Sequence, residues 1–198
     1  MPENPFVFGN PIVVGDAVAG RLFCGREDDI KQIVGRLKTM QSTSVVGERR
    51  IGKTSLLYYL EDPSEMGKRG FNPDEYIFVY FTFERTRNIT PTQFWKHILE
   101  EFSEQIRDEE IVTEIETIQQ REEISPFDIE RLFRRITRKK LKTVFLFDEF
   151  ESVTQTTNLD VDFFSGLRYL ASTPTRFSLV LVTSSRRCAL EEHSCNVG

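Results

Sequence analysis

Cysteine, tryptophan, histidine and methionine are all scarce in this 198-residue chain, which has three Cys, one Trp, two His and three Met. Three cysteines without paired spacing do not make a disulfide framework; they point to reduced thiols in a cytosolic setting. Cys188, His193 and Cys195 lie close together, but three mixed ligands without a fourth make a poor zinc site. Long apolar runs are absent as well. The longest, Tyr76 to Phe81, falls far short of the ~20 residues that span a bilayer, so no membrane partner is expected. Met1-Pro2-Glu3-Asn4 lacks the basic-then-apolar build of a signal peptide, and the expected location is cytoplasmic. Positive charge is the last shortage: 26 Lys and Arg against 31 Asp and Glu leave a formal charge of −5. Such a balance excludes a general nucleic-acid coater, although one basic face could still serve locally. The deficit is concentrated, because residues 99–130 carry twelve acids against two arginines.

What the chain does have is enough apolar sequence, 39% of residues, for one sizeable core. It also has Gly47-Glu48-Arg49-Arg50-Ile51-Gly52-Lys53-Thr54, a complete G-x-x-x-x-G-K-[ST] pattern. Ser42 to Val46 reads as a strand entering this loop, and Thr54-Ser55 to Leu60 as the helix leaving it. A strand feeding a helix through such a loop aims several backbone N–H groups, and the positive end of the helix dipole, at one point. A polyphosphate fits there, with Lys53 on the β- and γ-phosphates and the Thr54 hydroxyl on Mg²⁺. The implied ligand is a nucleotide.

The rest of the chain supplies a scaffold. Residues 1–26, broken by Pro2, Pro5, Gly9, Pro11, Gly15, Gly20 and Gly25, form an arm whose apolar islands either cover an edge of the core or make a slot for a base. Residues 27–198 form the core domain. Ile30, Ile33, Val34 and Leu37 recur at helical spacing, and Tyr76 to Phe83 reads as a strand buried on both faces. A loop is expected from Glu61-Asp62-Pro63-Ser64 to Asp74. Thr90-Pro91 and Ser125-Pro126 each start a helix, the first with Trp95 in its core stripe. Between them, the highly charged residues 107–124, with Ile111, Ile115 and Ile118 in helical register, read as a surface helical hairpin, a mobile insert or, most simply, a solvated face. The second of these helices ends in Arg131, Arg134, Arg135, Arg138, Lys139 and Lys140, which either stabilise its C-terminus or form a patch for DNA or an acidic partner. Lys142 to Phe147 is an apolar strand that ends in Asp148-Glu149. Phe150 to Val153 reads as loop, Asp160 to Ala171 as a helix, and Phe177 to Thr183 as a further strand.

Taken together, Leu22-Phe23-Cys24-Gly25-Arg26-Glu27 about twenty residues before Gly47-Glu48-Arg49-Arg50-Ile51-Gly52-Lys53-Thr54-Ser55-Leu56 resembles the STAND branch of the AAA+-like P-loop ATPases, the relatives of NB-ARC and the archaeal-type ATPases. The resemblance implies a three-layer α/β/α sandwich with a mostly parallel sheet in the order 2-3-4-1 and nucleotide at the C-terminal edge of the strands. It implies that Phe23, Cys24 and Arg26 line the adenine site, that Asp148 supports Mg²⁺ and that Glu149 acts on the attacking water. Thr183, Ser184 or Ser185 becomes the candidate sensor of the γ-phosphate, and Arg186 the catalytic charge stabiliser, with the sequence leaving open which of Arg186 and Arg187 faces the phosphate. The family's fifth strand, outside the first, and its helical lid have no room before Gly198, so the chain reads either as part of a longer protein or as one whose missing strand is supplied by other means.

Three functions fit this reading. One is an ATP-binding, Mg²⁺-dependent ATPase that works as a nucleotide switch in a larger signalling or defence-type protein. The second is a scaffold that holds ATP or ADP, hydrolyses little, and assembles with protein partners or with itself. The third is a DNA-handling AAA+ loader, for which the basic helix speaks and the net charge does not.

Overall fold

The computed structural model describes residues 26–48, 51–84, 86–156 and 158–172, and the backbone of 177–183. Four strands, β1 (Thr43–Val46), β2 (Tyr76–Thr82), β3 (Lys142–Asp148) and β4 (Phe177–Thr183), form one wholly parallel sheet in the order β1-β4-β3-β2. This is the expected order. Because every strand runs the same way, all four C-terminal ends lie at one edge, where ligands bind in open α/β sheets.

Side-chain alternation divides β2 and β3 between two cores. Phe78, Val144 and Leu146 pack with Ile30, Leu37, Leu56, Leu57 and Leu60 from helices α1 (Glu27–Lys38) and α2 (Lys53–Glu61). Ile77, Val79, Phe81, Phe145 and Phe147 point the other way, into a larger core rich in phenylalanine. That core is roofed by α4 (Pro91–Gln105), α5 (Glu109–Gln119), α6 (Pro126–Arg138) and α7 (Val161–Ser172), α3 being the short Pro63–Lys68 helix on the first face. Its rings meet edge to face, as Phe83 and Phe147 do at 5.4 Å and Phe81 and Phe94 at 5.0 Å, the geometry aromatic quadrupoles favour. Trp95 is buried among them as core. The result is the three-layer α/β/α sandwich.

Both capped starts form as the sequence suggests. Thr90 with Gln93, and Ser125 with Asp128, each complete a reciprocal capping box ahead of a proline. Three segments differ from expectation. Pro63–Lys68 is helical because Asp62 accepts hydrogen bonds from the N–H groups of Ser64 and Glu65, which caps a turn that reads as loop. The 107–124 segment is no solvated face: Ile111, Ile115 and Ile118 of α5 are fully buried in the large core. Phe150–Gln155 is a 3₁₀ turn that seats Phe150 and Val153 in the same core.

Candidate nucleotide-binding site

The phosphate-loop motif sits where β1 leaves the sheet. Gly52 is the N-cap of α2 with φ 82° and ψ 28°, a left-handed conformation that glycine alone adopts without strain. It contributes no capping side chain, so the first N–H groups of α2 keep their capacity to bind an anion. Lys53 is buried, and its Nζ donates to the carbonyls of Gly47 at 2.9 Å and Glu48 at 2.7 Å. The loop thus wraps its own ammonium group, holding the charge at the mouth of the helix. Ile51 is exposed, and Thr54 and Ser55 are half-buried in the first turn of α2.

Arg26 reaches the same loop from the start of α1. Its Nη1 donates to the Ile51 carbonyl at 3.4 Å while its Nε pairs with Asp29 at 2.9 Å. The residue expected at the adenine site is therefore tied to the phosphate loop, 25 positions away in sequence. Phe23, Cys24, Arg49 and Arg50 lie outside the described residues.

Asp148 ends β3 on the α2 side of the sheet, in phase with Val144 and Leu146. Its side chain is 3% exposed. Oδ1 accepts the Glu149 N–H at 2.9 Å and Oδ2 accepts the Tyr80 hydroxyl at 3.1 Å. Both donors are neutral, and no cation pairs with this carboxylate among the described residues. A buried carboxylate left with uncompensated charge is a natural ligand for a hard cation, so the donor set fits Mg²⁺. Glu149 follows with φ 50° and ψ 38°, a left-handed turn that takes the chain out of the strand and leaves this side chain half-buried.

Strand β4 stands between these two groups. Thr183 lies beside Val46, the last residue before the loop, and Leu181 beside Phe147, next to Asp148. The C-terminal end of β4 thus lies between the strand that enters the phosphate loop and the strand that carries the acidic pair. Ser184, Ser185, Arg186 and Arg187 lie outside the described residues, as do Cys188, His193, Cys195 and the 1–25 part of the arm.

Sequence reasoning missed Tyr80. It lies on β2, 68 positions from Asp148, and on the same sheet face. Burial, then the neighbouring Asp148 charge, pushes its phenol well above the ordinary tyrosine range, so it stays a donor. Its ring lies 5.0 Å from that of Tyr58 on α2, which links the loop helix to the acidic strand. The available signal was a tyrosine in the middle of a largely apolar strand, whose hydroxyl needs a partner when buried. Only the β2–β3 register identifies that partner.

A family model described as an AAA domain matches residues 36–187. The chain belongs to this family, a group of P-loop ATPases of the AAA+ type. Among solved structures, the Aeropyrum pernix ORC2 protein, determined as ADPNP–ADP complexes, is similar with a TM-score of 0.58 and 17% identity. The match covers 87% of this chain and 44% of that one, so the chain spans less than half of that protein's length. At this identity the likeness is one of fold. A search of curated protein sequences gave no match.

Proposed function

We propose that this domain binds ATP with Mg²⁺ and hydrolyses it, serving as a nucleotide-dependent switch within a larger signalling or defence-type protein. The observation that carries this reading is the pairing, at one sheet edge, of a lysine-filled phosphate loop with a buried carboxylate that has no cation partner among the described residues. Lys53 would transfer its hydrogen bonds from the Gly47 and Glu48 carbonyls to the β- and γ-phosphates. The α2 N-terminus would hold phosphate oxygens through backbone N–H groups. Thr54 and Asp148 would hold Mg²⁺, which when bound neutralises the charge that builds on the phosphoryl oxygens. Glu149 would orient the attacking water and accept its proton, and Arg186 would stabilise the transferring group. Phe23, Cys24 and Arg26 would flank the base.

The test is Glu149→Gln. Nucleotide binding should be retained while turnover falls by about 10²-fold or more, the size of a lost general base. Equal turnover in both proteins would remove Glu149 from the chemistry and favour a scaffold that holds nucleotide and assembles with partners.

A DNA-handling role is the second reading, and the ORC2 protein among the fold relatives speaks for it. Against it, the basic helix α6 is already engaged. Arg135 pairs with Glu114 at 3.0 Å, Arg131 with Glu114 at 3.3 Å, and Lys139 with Asp108 at 2.9 Å. The acidic segment thus neutralises Arg131, Arg135 and Lys139, and Arg134 pairs with Glu130 of its own helix. Of the six basic residues only Arg138 and Lys140 stand exposed without a carboxylate partner among the described residues.

A further inference from the structure

Among the described residues the sheet ends at β2, and its outer edge is open along a cleft. Hydrogen bonds to β3 use the odd-numbered residues: Lys142 N–H donates to the Glu75 carbonyl, and Phe83 N–H to the Asp148 carbonyl. The even-numbered residues Phe78, Tyr80 and Thr82 therefore turn their backbone groups outward. One of these groups is satisfied, since the Gln105 side-chain amide donates to the Phe78 carbonyl at 2.7 Å, as the N–H of an added strand would. Among the described residues the N–H groups of Phe78, Tyr80 and Thr82 and the Tyr80 carbonyl have no backbone partner.

Two hollows flank this edge and meet at Glu61. One, of about 1130 Å³, runs beside Tyr80–Glu84 towards His97 and Glu101 of α4. The other, of about 580 Å³, runs beside Tyr76–Phe78 towards Met66 and Phe71. Together they follow the whole strand between the α2–α3 side and α4. Glu61 and Glu101 line the same hollow where the two join, with Glu101 near enough to raise the electrostatic cost of a charge on Glu61, and neither has a cationic partner among the described residues. Glu84 adds a third carboxylate to the upper hollow, against Arg87 there.

We propose that the open edge of β2 is a docking groove for an extended, cationic segment of a partner protein, which adds to the sheet as a further strand. Backbone pairing to Tyr80 and Thr82 supplies affinity. A lysine or arginine between Glu61 and Glu101 supplies selectivity by neutralising two partly desolvated carboxylates. A second copy of this chain is a poorer occupant, because edge-to-edge pairing would bring the same carboxylates face to face.

The probe is a synthetic heptapeptide of alternating lysine and valine, titrated into the whole chain at moderate salt. Two control peptides go alongside, one N-methylated at alternate amides and one with glutamate in place of lysine. Saturable one-to-one binding is expected for the cationic peptide, with slower hydrogen exchange at the Tyr80 and Thr82 amides. Affinity should drop roughly tenfold or more on N-methylation or in Glu61→Gln/Glu101→Gln, as loss of a charge-assisted bond worth ~1.5–3 kcal/mol requires. The melting temperature of the double variant shows that it is folded, and Glu122→Gln/Glu123→Gln controls for net charge. Equal affinity of the N-methylated peptide, or equal loss in the control variant, would reduce the effect to general electrostatics and overturn the proposal. So would protection that appears away from β2, absence of binding, or concentration-dependent self-association that protects these same amides without peptide.

Discussion

Gly52 and Gly35 separate two uses of the same residue. An added Cβ at either meets nothing within 4 Å, so neither site is limited by space. Gly52, however, stands at φ 82°, where an L side chain costs ~1–2 kcal/mol, whereas Gly35 lies inside α1. Urea denaturation should therefore find Gly52→Ala destabilised by about that amount and Gly35→Ala stabilised by ~0.5–1 kcal/mol. Lys53→Ala tests the neighbouring charge. Saturating nucleotide, at ~100 times its Kd, should stabilise the parent by roughly 2.7 kcal/mol, and the variant should lose most of that rise in melting temperature. Parent and variant rising equally would show that the loop is not where nucleotide binds. Tyr80→Phe removes the hydroxyl from Oδ2 of Asp148 and leaves the ring against Tyr58. A Mg²⁺ titration of the nucleotide-induced melting shift should move to higher metal concentration, while binding in EDTA stays as in the parent. An unmoved titration would mean that Tyr80 does not position this carboxylate.

Among the elements, legibility in the sequence tracked the range of the interaction that fixes them. The phosphate loop, the acidic strand end and the two capping boxes are each written within a few consecutive residues, so composition and spacing sufficed. The helical register of α5 was legible, but its burial was not, because its environment lies elsewhere in the chain. Its isoleucines have helical spacing, yet nothing local distinguishes a thin stripe under dense charge from a solvated helix. The charge itself is explained only by α6, whose Arg131, Arg135 and Lys139 face Glu114, Glu110 and Asp108 across the pair. The same limit hid the Tyr80–Asp148 bond, which depends on strand register. Two substitutions weigh the apolar contact against the ionic one. Ile115→Ala removes a fully buried side chain and should cost ~2–5 kcal/mol in urea denaturation. Lys139→Ala breaks half-exposed pairs with Asp108 and Glu110, worth ~0–1 kcal/mol. If the two losses prove equal, α5 is held by its ion pairs and not by its burial in the core.

For the molecule as a whole, the open β2 edge has a consequence for stability against pH. Burial, then the nearby Glu101, raises the Glu61 carboxyl from 4.5 to about 7. The folded protein therefore keeps a proton on Glu61 at pH values where the unfolded chain has released it. Stability falls wherever the folded state binds more protons, so this residue costs little below about pH 4.5 and progressively more up to about pH 7. Above that the cost is constant. Asp108 acts in the opposite sense: its hydrogen bond from Lys139 lowers its carboxyl, and the stability it contributes is lost only as pH falls through the acid range. Within the neutral window the slope from Glu61 should be visible by difference. Urea denaturation of the parent and of Glu61→Gln at about pH 5 and pH 8 should show the variant gaining on the parent as pH rises, with the gap level beyond pH 8. Because Glu61 retains some solvent contact, the gap should be smaller than a fully buried carboxyl would give. Parallel profiles for the two proteins would mean that Glu61 ionises normally, and that the cleft along β2 is wetter and less charge-strained than its geometry implies.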